Sequence, residues 1–240
     1  MKGFALAPGK AILFGEHFIL YGCPALSIAI TLYSKAFAEE RQNSTIQIYS
    51  KNLNIIKELY KNSINNEILK PIKLAIDEVL KLANRSTGIT LTIDSEIPPA
   101  AGLGSSAATA VSTIASTAEL FNLNITKDKI IELAFSSEKF IHGKPSGIDH
   151  TTSTLGGIIY YEPNSGFKKL DITLDIQVLI GYSGLPRATK EQIIKVREYL
   201  EENEERKRRI LNNFKEIISS AIKALRNKDL EMFGRLMNEN

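Results

Sequence analysis

Residues 98–110 read PPAAGLGSSAATA and belong to a run, 97–118, that holds no charged side chain, although charged residues make up 24% of the chain. Glycines and paired serines just ahead of a helical pattern suit the close approach of an anion. The first amide N–H groups of a helix lack internal partners, the dipole there is positive, and small side chains let a phosphate reach the backbone. A membrane span would need about twenty predominantly apolar residues, and this run carries Pro98, Pro99, Gly102, Gly104 and many Ser and Thr. An ordinary buried helix accounts for 107–120 but not for the glycines and serines before it. The stretch has neither the Gly-Lys-Ser/Thr ending of a Walker-type loop nor the G-x-G-x-x-G pattern. GSSAA loosely matches a nucleophile elbow centred on Ser106, but an elbow follows a strand directly, and Pro98 and Pro99 interrupt one.

Other residues with chemical potential are scattered. Taken singly, Lys10 reads as a turn lysine, Asp149 as a loop or cap residue and Glu138 as a surface carboxylate on a helix. The histidines are His17, His142 and His150, and no H-E-x-x-H spacing marks a zinc site.

The elements that must position these groups follow from periodicity. KAILFGEHF, ALSIAITLY, STIQIYS and GITLTIDS are short β-branched runs bounded by Gly, Pro, Asn or Ser, and predict strands. KPIKLAIDEVLKLAN spaces Ile72, Ile76, Val79, Leu80 and Ala83 as a helix with Pro71 near its start. SSAATAVSTIASTAELF predicts a helix ending near Asn122, and TKDKIIELAFSSEKFIHG another, with Thr126 as N-cap and Gly143 past its end. GKPSGIDH reads as a turn, GGIIYY and DIQVLIGYS as strands, and YEPNSGF as a soft domain boundary. From Ala188 onward three helical segments follow, 188–203, 206–227 and 228–240.

Composition narrows the class. The chain has 240 residues, 43% of them hydrophobic, a net charge of +3 and a single cysteine, Cys23. So mild a charge does not read as nucleic-acid binding, and the dense run EENEERKRR mixes both signs as a solvated helix face does. One cysteine forms no internal disulfide. The N-terminus meets Pro8, Gly9 and Lys10 before any long apolar stretch, unlike a secretory signal. A cytoplasmic protein acting on neither nucleic acid nor membrane is the expectation.

APGKAILFGEHFILYGCPAL, PPAAGLGSSAA and HGKPSGIDHTTSTLGG occur in that order, and together they resemble the GHMP kinase superfamily over roughly residues 4–195. HGKPSGID and GLPRATKE are most similar to the mevalonate kinase versions of these motifs. PGK in place of Pro-Gly-Arg sets the chain apart from galactokinases, and His17 in place of Tyr from phosphomevalonate kinases. The resemblance implies an α+β fold in two domains. Residues 1–163 would form an ATP-binding domain like the second domain of ribosomal protein S5, with a left-handed βαβ crossover. Residues 164–240 would form part of a ferredoxin-like domain.

It further implies transfer of the γ-phosphoryl of ATP to the 5-hydroxyl of mevalonate, with Mg²⁺ as cofactor. By motif position, Pro98, Pro99, Ala100, Ala101, Gly102, Leu103, Gly104, Ser105, Ser106, Ala107 and Ala108 would cradle the phosphates. Ser106 and Glu138 would hold the metal, Asp149 and Lys10 would be catalytic, and Glu16, His17, Gly147 and Thr189 would contact substrate, with Arg187 a further anion contact or a cap. Another small-alcohol kinase of the superfamily, and a non-catalytic metabolite sensor on the same fold, are the alternatives; a homodimer is compatible with either. The superfamily's third motif, a glycine-rich loop near the C-terminus, has no counterpart before Asn240. The expectation is therefore a shortened chain with little or no kinase activity, whose helix faces at Ile217, Ile222, Leu225, Leu230, Phe233 and Leu236 are partly uncovered.

Overall fold

The computed structural model describes residues 1–59, 69–142, 146–172, 176–182, 184 and 189–240, without the side chains of 138, 140–142, 189 and 190. Its strands are β1 (Lys2–Phe14), β2 (Ala25–Arg41), β3 (Ile46–Ser50), β4 (Ile55–Leu59), β5 (Gly88–Ser95), β6 (Ile158–Glu162) and β7 (Gly166–Lys169). Its helices are α1 (Lys70–Leu82), α2 (Ser105–Leu120), α3 (Lys127–His142), α4 (Ile148–Leu155), α5 (Thr189–Glu201), α6 (Glu204–Arg226) and α7 (Leu230–Glu239), with a 3-10 turn at Phe18–Tyr21. The chain divides into two compact units, Met1–Lys10 with Ala29–Leu155, and Ala11–Ile28 with Gly156–Asn240. β1 and β2 are long enough that each contributes residues to both.

In the first unit the strand order is β4-β3-β5-β2. β2 and β5 are antiparallel, from Ser34 opposite Ser95 to Arg41 opposite Gly88, and β3 and β5 are parallel, with Ile46 opposite Ile89. A parallel pair needs a crossover, and α1 lies in the connection between β3 and β5. Its periodic residues Ile72, Ile76 and Leu80 close a core with Ala36, Ile48, Ile89, Leu91 and Leu120. Helices α1, α2, α3 and α4 pack on one another. α2 and α4 bury Ser112, Thr113, Ser116, Thr117, Thr151 and Thr152, and Ser112 meets Ser34 of β2. Such small polar side chains fit helix interiors when their hydroxyls bond back to the preceding turn, as Thr152 Oγ1 does to the Ile148 carbonyl at 2.7 Å and Ser116 Oγ to that of Thr113 at 3.1 Å.

In the second unit, the start of β2 pairs with β6, Ala25 opposite Tyr161, and β6 forms a hairpin with β7. Phe14, Leu26 and Ile158 bury against Phe214, Ile218, Leu225, Phe233 and Leu236 of α6 and α7. Phe14 meets Phe233 edge-on, with ring centroids 5.4 Å apart.

Several expectations need correction. GKPSGIDH, expected as a turn over 143–150, runs into a helix, Ile148–Leu155; residues 143–145 lie outside the described residues. YEPNSGF covers the end of β6, the turn and the start of β7. β4, a hairpin partner of β3, is an element that periodicity does not predict. Residues 176–182, expected as a strand, have no strand assignment, and Leu179 is 99% exposed; Asp175 and Ser183 lie outside the described residues. The helix faces expected to be uncovered are mostly covered. Ile217, Leu225, Phe233 and Leu236 are buried and Ile222 packs against the same core, while Leu230 alone of the six is exposed.

Candidate active site

β5 delivers the chain to the small-residue stretch and α2 carries it away. Between them, the Ser95 hydroxyl accepts the Ile97 N–H at 3.2 Å, and Ala100, Gly102 and Gly104 take positive φ of 57°, 77° and 72°. The left-handed region is open to Gly at little cost; Ala100 is the non-glycine exception. Gly104 is the N-cap of α2, with no side-chain cap of its own, and its carbonyl accepts the Ala108 N–H at 2.9 Å. Ser105 Oγ points back to the Ile97 carbonyl at 3.5 Å, whereas Ser106 is exposed at the helix start. The first turn therefore presents amides, an exposed hydroxyl and the positive end of a 16-residue helix on one surface.

β1 passes directly beside this loop. The Lys10 N–H donates to the Leu103 carbonyl at 2.9 Å. A Cβ added to Gly104 would stand 2.9 Å from Lys10 Cγ, so the aliphatic stem lies in the space that the glycine leaves. Lys10 is only 4% exposed. A buried ammonium needs a counter-charge, and Asp149 supplies it, with Nζ 3.0 Å from Oδ1. Asp149 stands in the first turn of α4, the helix end that favours anions. It is reached through Gly147 (φ 87°), whose carbonyl accepts the Thr151 N–H at 3.2 Å. The Asp149 side chain keeps 23% exposure, leaving it open to a further partner. Next to it, His150 is buried and meets Phe135 edge-on at 5.6 Å.

The first unit thus collects the loop 97–108, Lys10, Gly147 and Asp149. Glu138 lies on α3, in its C-terminal half, and its side chain is outside the description. Glu16 and His17 belong to the second unit, between β1 and the 3-10 turn, Glu16 exposed and His17 half-buried. Thr189 opens α5 in that same unit, again without a described side chain, and Arg187 falls outside the described residues. Two features escape sequence reasoning, the Leu103 carbonyl that fastens β1 to the loop and the fit of Gly104 over Lys10. The glycine itself is the only available signal.

A helix start of this kind suits an anion, and the buried Lys10–Asp149 pair lies beside it. Residues 56–157 match the family model described as the GHMP kinases N terminal domain. The mevalonate kinase of Thermococcus sibiricus is 36% identical over 256 residues, a match that spans 100% of this chain and 76% of that relative. The crystal structure of Methanococcus jannaschii mevalonate kinase superposes with a TM-score of 0.77 at 28% identity, over 98% of this chain and 80% of the other. That of L. major mevalonate kinase in complex with R-mevalonate gives 0.79 at 26% identity, over 99% and 73%. The chain belongs to the GHMP kinases and, within them, to the mevalonate kinases.

Proposed function

We propose that the chain transfers the γ-phosphoryl group of ATP to the 5-hydroxyl of mevalonate, with the catalytic work centred on Lys10 and Asp149. The observation that carries this reading is the buried 3.0 Å pair between them, set against the Gly104 end of the loop. In this reading the amides at 102–106 hold the β- and γ-phosphates. Asp149 accepts a hydrogen bond from the substrate hydroxyl and orients it in line with the γ-phosphorus. As the new O–P bond forms and the bond to the ADP oxygen breaks, the hydroxyl proton passes to the Asp149 carboxylate. The transition state of phosphoryl transfer is usually loose, so a carboxylate held in place by a lysine suffices, and positioning with charge neutralisation does most of the catalysis. Lys10 supplies positive charge beside the transferring group while holding Asp149 in place.

The donors also fit Mg²⁺, which takes oxygen ligands, makes few protein contacts and completes its shell with water and phosphate oxygens. Ser106, exposed at the helix start, and Glu138 would hold the ion, which would neutralise phosphate charge. Glu16, His17, Gly147 and Thr189 are assigned to mevalonate.

The test is an ATP-coupled assay across mevalonate, phosphomevalonate, homoserine and galactose. Preferential turnover of mevalonate is expected. Preference for another alcohol would transfer the assignment to a sister kinase, and binding without turnover would favour a sensor.

A further inference from the structure

The second unit contains a groove of about 810 Å³ between the β6–β7 hairpin and α6 that the kinase reading does not use. Its lining is electrostatically lopsided. Lys168 comes from β7 and Lys215, Lys223 and Arg226 from α6, against the one carboxylate among the described lining residues, that of Glu162. That carboxylate is already engaged, accepting the Ser165 hydroxyl at 3.1 Å.

The arrangement follows from two periodicities. Positions 215, 219, 222, 223 and 226 fall three or four apart and share one stripe of α6, beside the buried Ile218 that anchors the helix to the core. Across the groove, Lys168 is registered opposite Tyr160, so both project from one face of the hairpin. Tyr161 and Phe167, with ring centroids 4.7 Å apart, take the other face. Burial raises the Tyr160 phenol above its ordinary pKa, and the phenol is a hydrogen-bond donor at neutral pH.

Some exposed cations of the chain are neutralised by a carboxylate, and others, including Lys57, Lys127 and Arg208, have no such partner among the described residues. Lys2, Lys35, Lys51, Lys129 and Arg235 each lie 2.6 or 2.7 Å from a carboxylate. Among the described residues, none of Lys168, Lys215, Lys223 and Arg226 makes an ion pair. Helix-dipole stabilisation accounts for cations in the last turn of α6, where Lys223 and Arg226 stand. It does not account for Lys215, two turns earlier, or for Lys168 on a strand. Like charges gathered in a concave surface repel one another and focus a positive field, and a bound polyanion relieves that repulsion. The groove's size is that of a small-molecule site, and the modest net charge of +3 argues against a nucleic-acid or membrane surface.

We propose that this groove is a second binding site, for a small phosphate-bearing polyanion, held by Lys168, Lys215, Lys223 and Arg226. The proposal is independent of the kinase assignment. It is tested on the full chain with lysines carrying ¹³C-methyl groups, by NMR titration with inorganic diphosphate while a Mg²⁺–ATP analogue saturates the loop of the first unit. The resonances of Lys168, Lys215 and Lys223 are expected to shift together and saturably, and to do so even if the chain proves inactive as a kinase. Lys168→Gln/Lys215→Gln/Lys223→Gln should weaken diphosphate binding by about tenfold or more, while circular dichroism and turnover at saturating substrate stay unchanged. Absence of shifts, or non-saturating shifts spread over every exposed lysine, would overturn the proposal. Shifts produced only by anionic lipid vesicles or by duplex DNA would overturn it as well, because the partner would then be a surface or a polymer.

Discussion

Lys10 and Lys73 are both buried lysines of the first unit, 4% and 6% exposed, and each is paired with a partly exposed aspartate. Lys73 reaches Asp77 one turn further along α1, with Nζ 2.6 Å from Oδ2. Lys10 reaches Asp149 across most of the unit's sequence, and β1, the loop before α2, and α4 must all be in place before the two meet. The first pair is local and can form as soon as α1 does. The second exists only in the assembled fold, and it stands at the start of α2, where phosphate is expected. Burial and pairing are therefore not the mark of catalysis, since the two pairs share both; what differs is the neighbourhood.

This contrast can be broken or sharpened by substitution. Asp149→Asn has the largest expected effect. It keeps the size of the side chain but removes the proton acceptor and the counter-charge of Lys10, so kcat should fall by about two orders of magnitude or more with ATP affinity little changed. Steady-state kinetics with separate nucleotide titration would check this, and weakened ATP binding at normal kcat would make Asp149 a binding residue instead. Gly104→Ala comes next. The new Cβ would fall 2.9 Å from Lys10 Cγ at a residue with φ of 72°, displacing the lysine stem and straining the loop. A drop in kcat/KM of roughly tenfold to a hundredfold is expected, and full activity would show that the loop does not position the lysine.

Lys73→Met should do the opposite. Breaking a fully buried pair costs about 3–5 kcal/mol, but Asp77 retains 29% exposure, so a loss of about 1–3 kcal/mol in urea unfolding is expected, with kcat within about twofold of the parent. A large fall in kcat at unchanged stability would erase the distinction between the two lysines. The smallest effect belongs to Lys35→Ala. Its partner Glu96 has a lowered pKa, first through the hydrogen bond from Lys35 and then through that from the Tyr33 N–H. The stabilisation from this pair is present above the ordinary carboxylate range and fades as pH falls through the lowered value. Both side chains are solvent-exposed, so the unfolding midpoint at neutral pH should not move measurably.

The same contrast shows what is legible in the sequence. α1 is readable because its apolar residues keep a clean helical period, and its Lys-x-x-x-Asp spacing announces the local pair. The loop before α2 is readable because no ordinary core wants two prolines, two glycines and two serines in nine residues. α4 is hidden because IDHTTSTL is poor in helix formers; its helix is sustained by packing against α2 and α3, a tertiary effect with no local signal. β4 and β7 are short hairpin partners whose pairing decides their state. Residues 176–182 have the apolar pattern of a strand, but a strand is defined by a neighbour, and the described residues supply none. The pairing of Lys10 with Asp149 is visible only through the family resemblance, since nothing local to either residue points to the other.

The central claim is that Lys10 and Asp149 act as one catalytic unit, and a double-mutant cycle on kcat tests it most directly. Lys10→Met, Asp149→Asn and the combined variant would be assayed at saturating ATP and mevalonate, with folding verified by circular dichroism. If the pair is a unit, the double variant should be no more than a few-fold slower than the slower single variant. If the two losses multiply, each residue acts alone, and the claim of a single catalytic unit is contradicted.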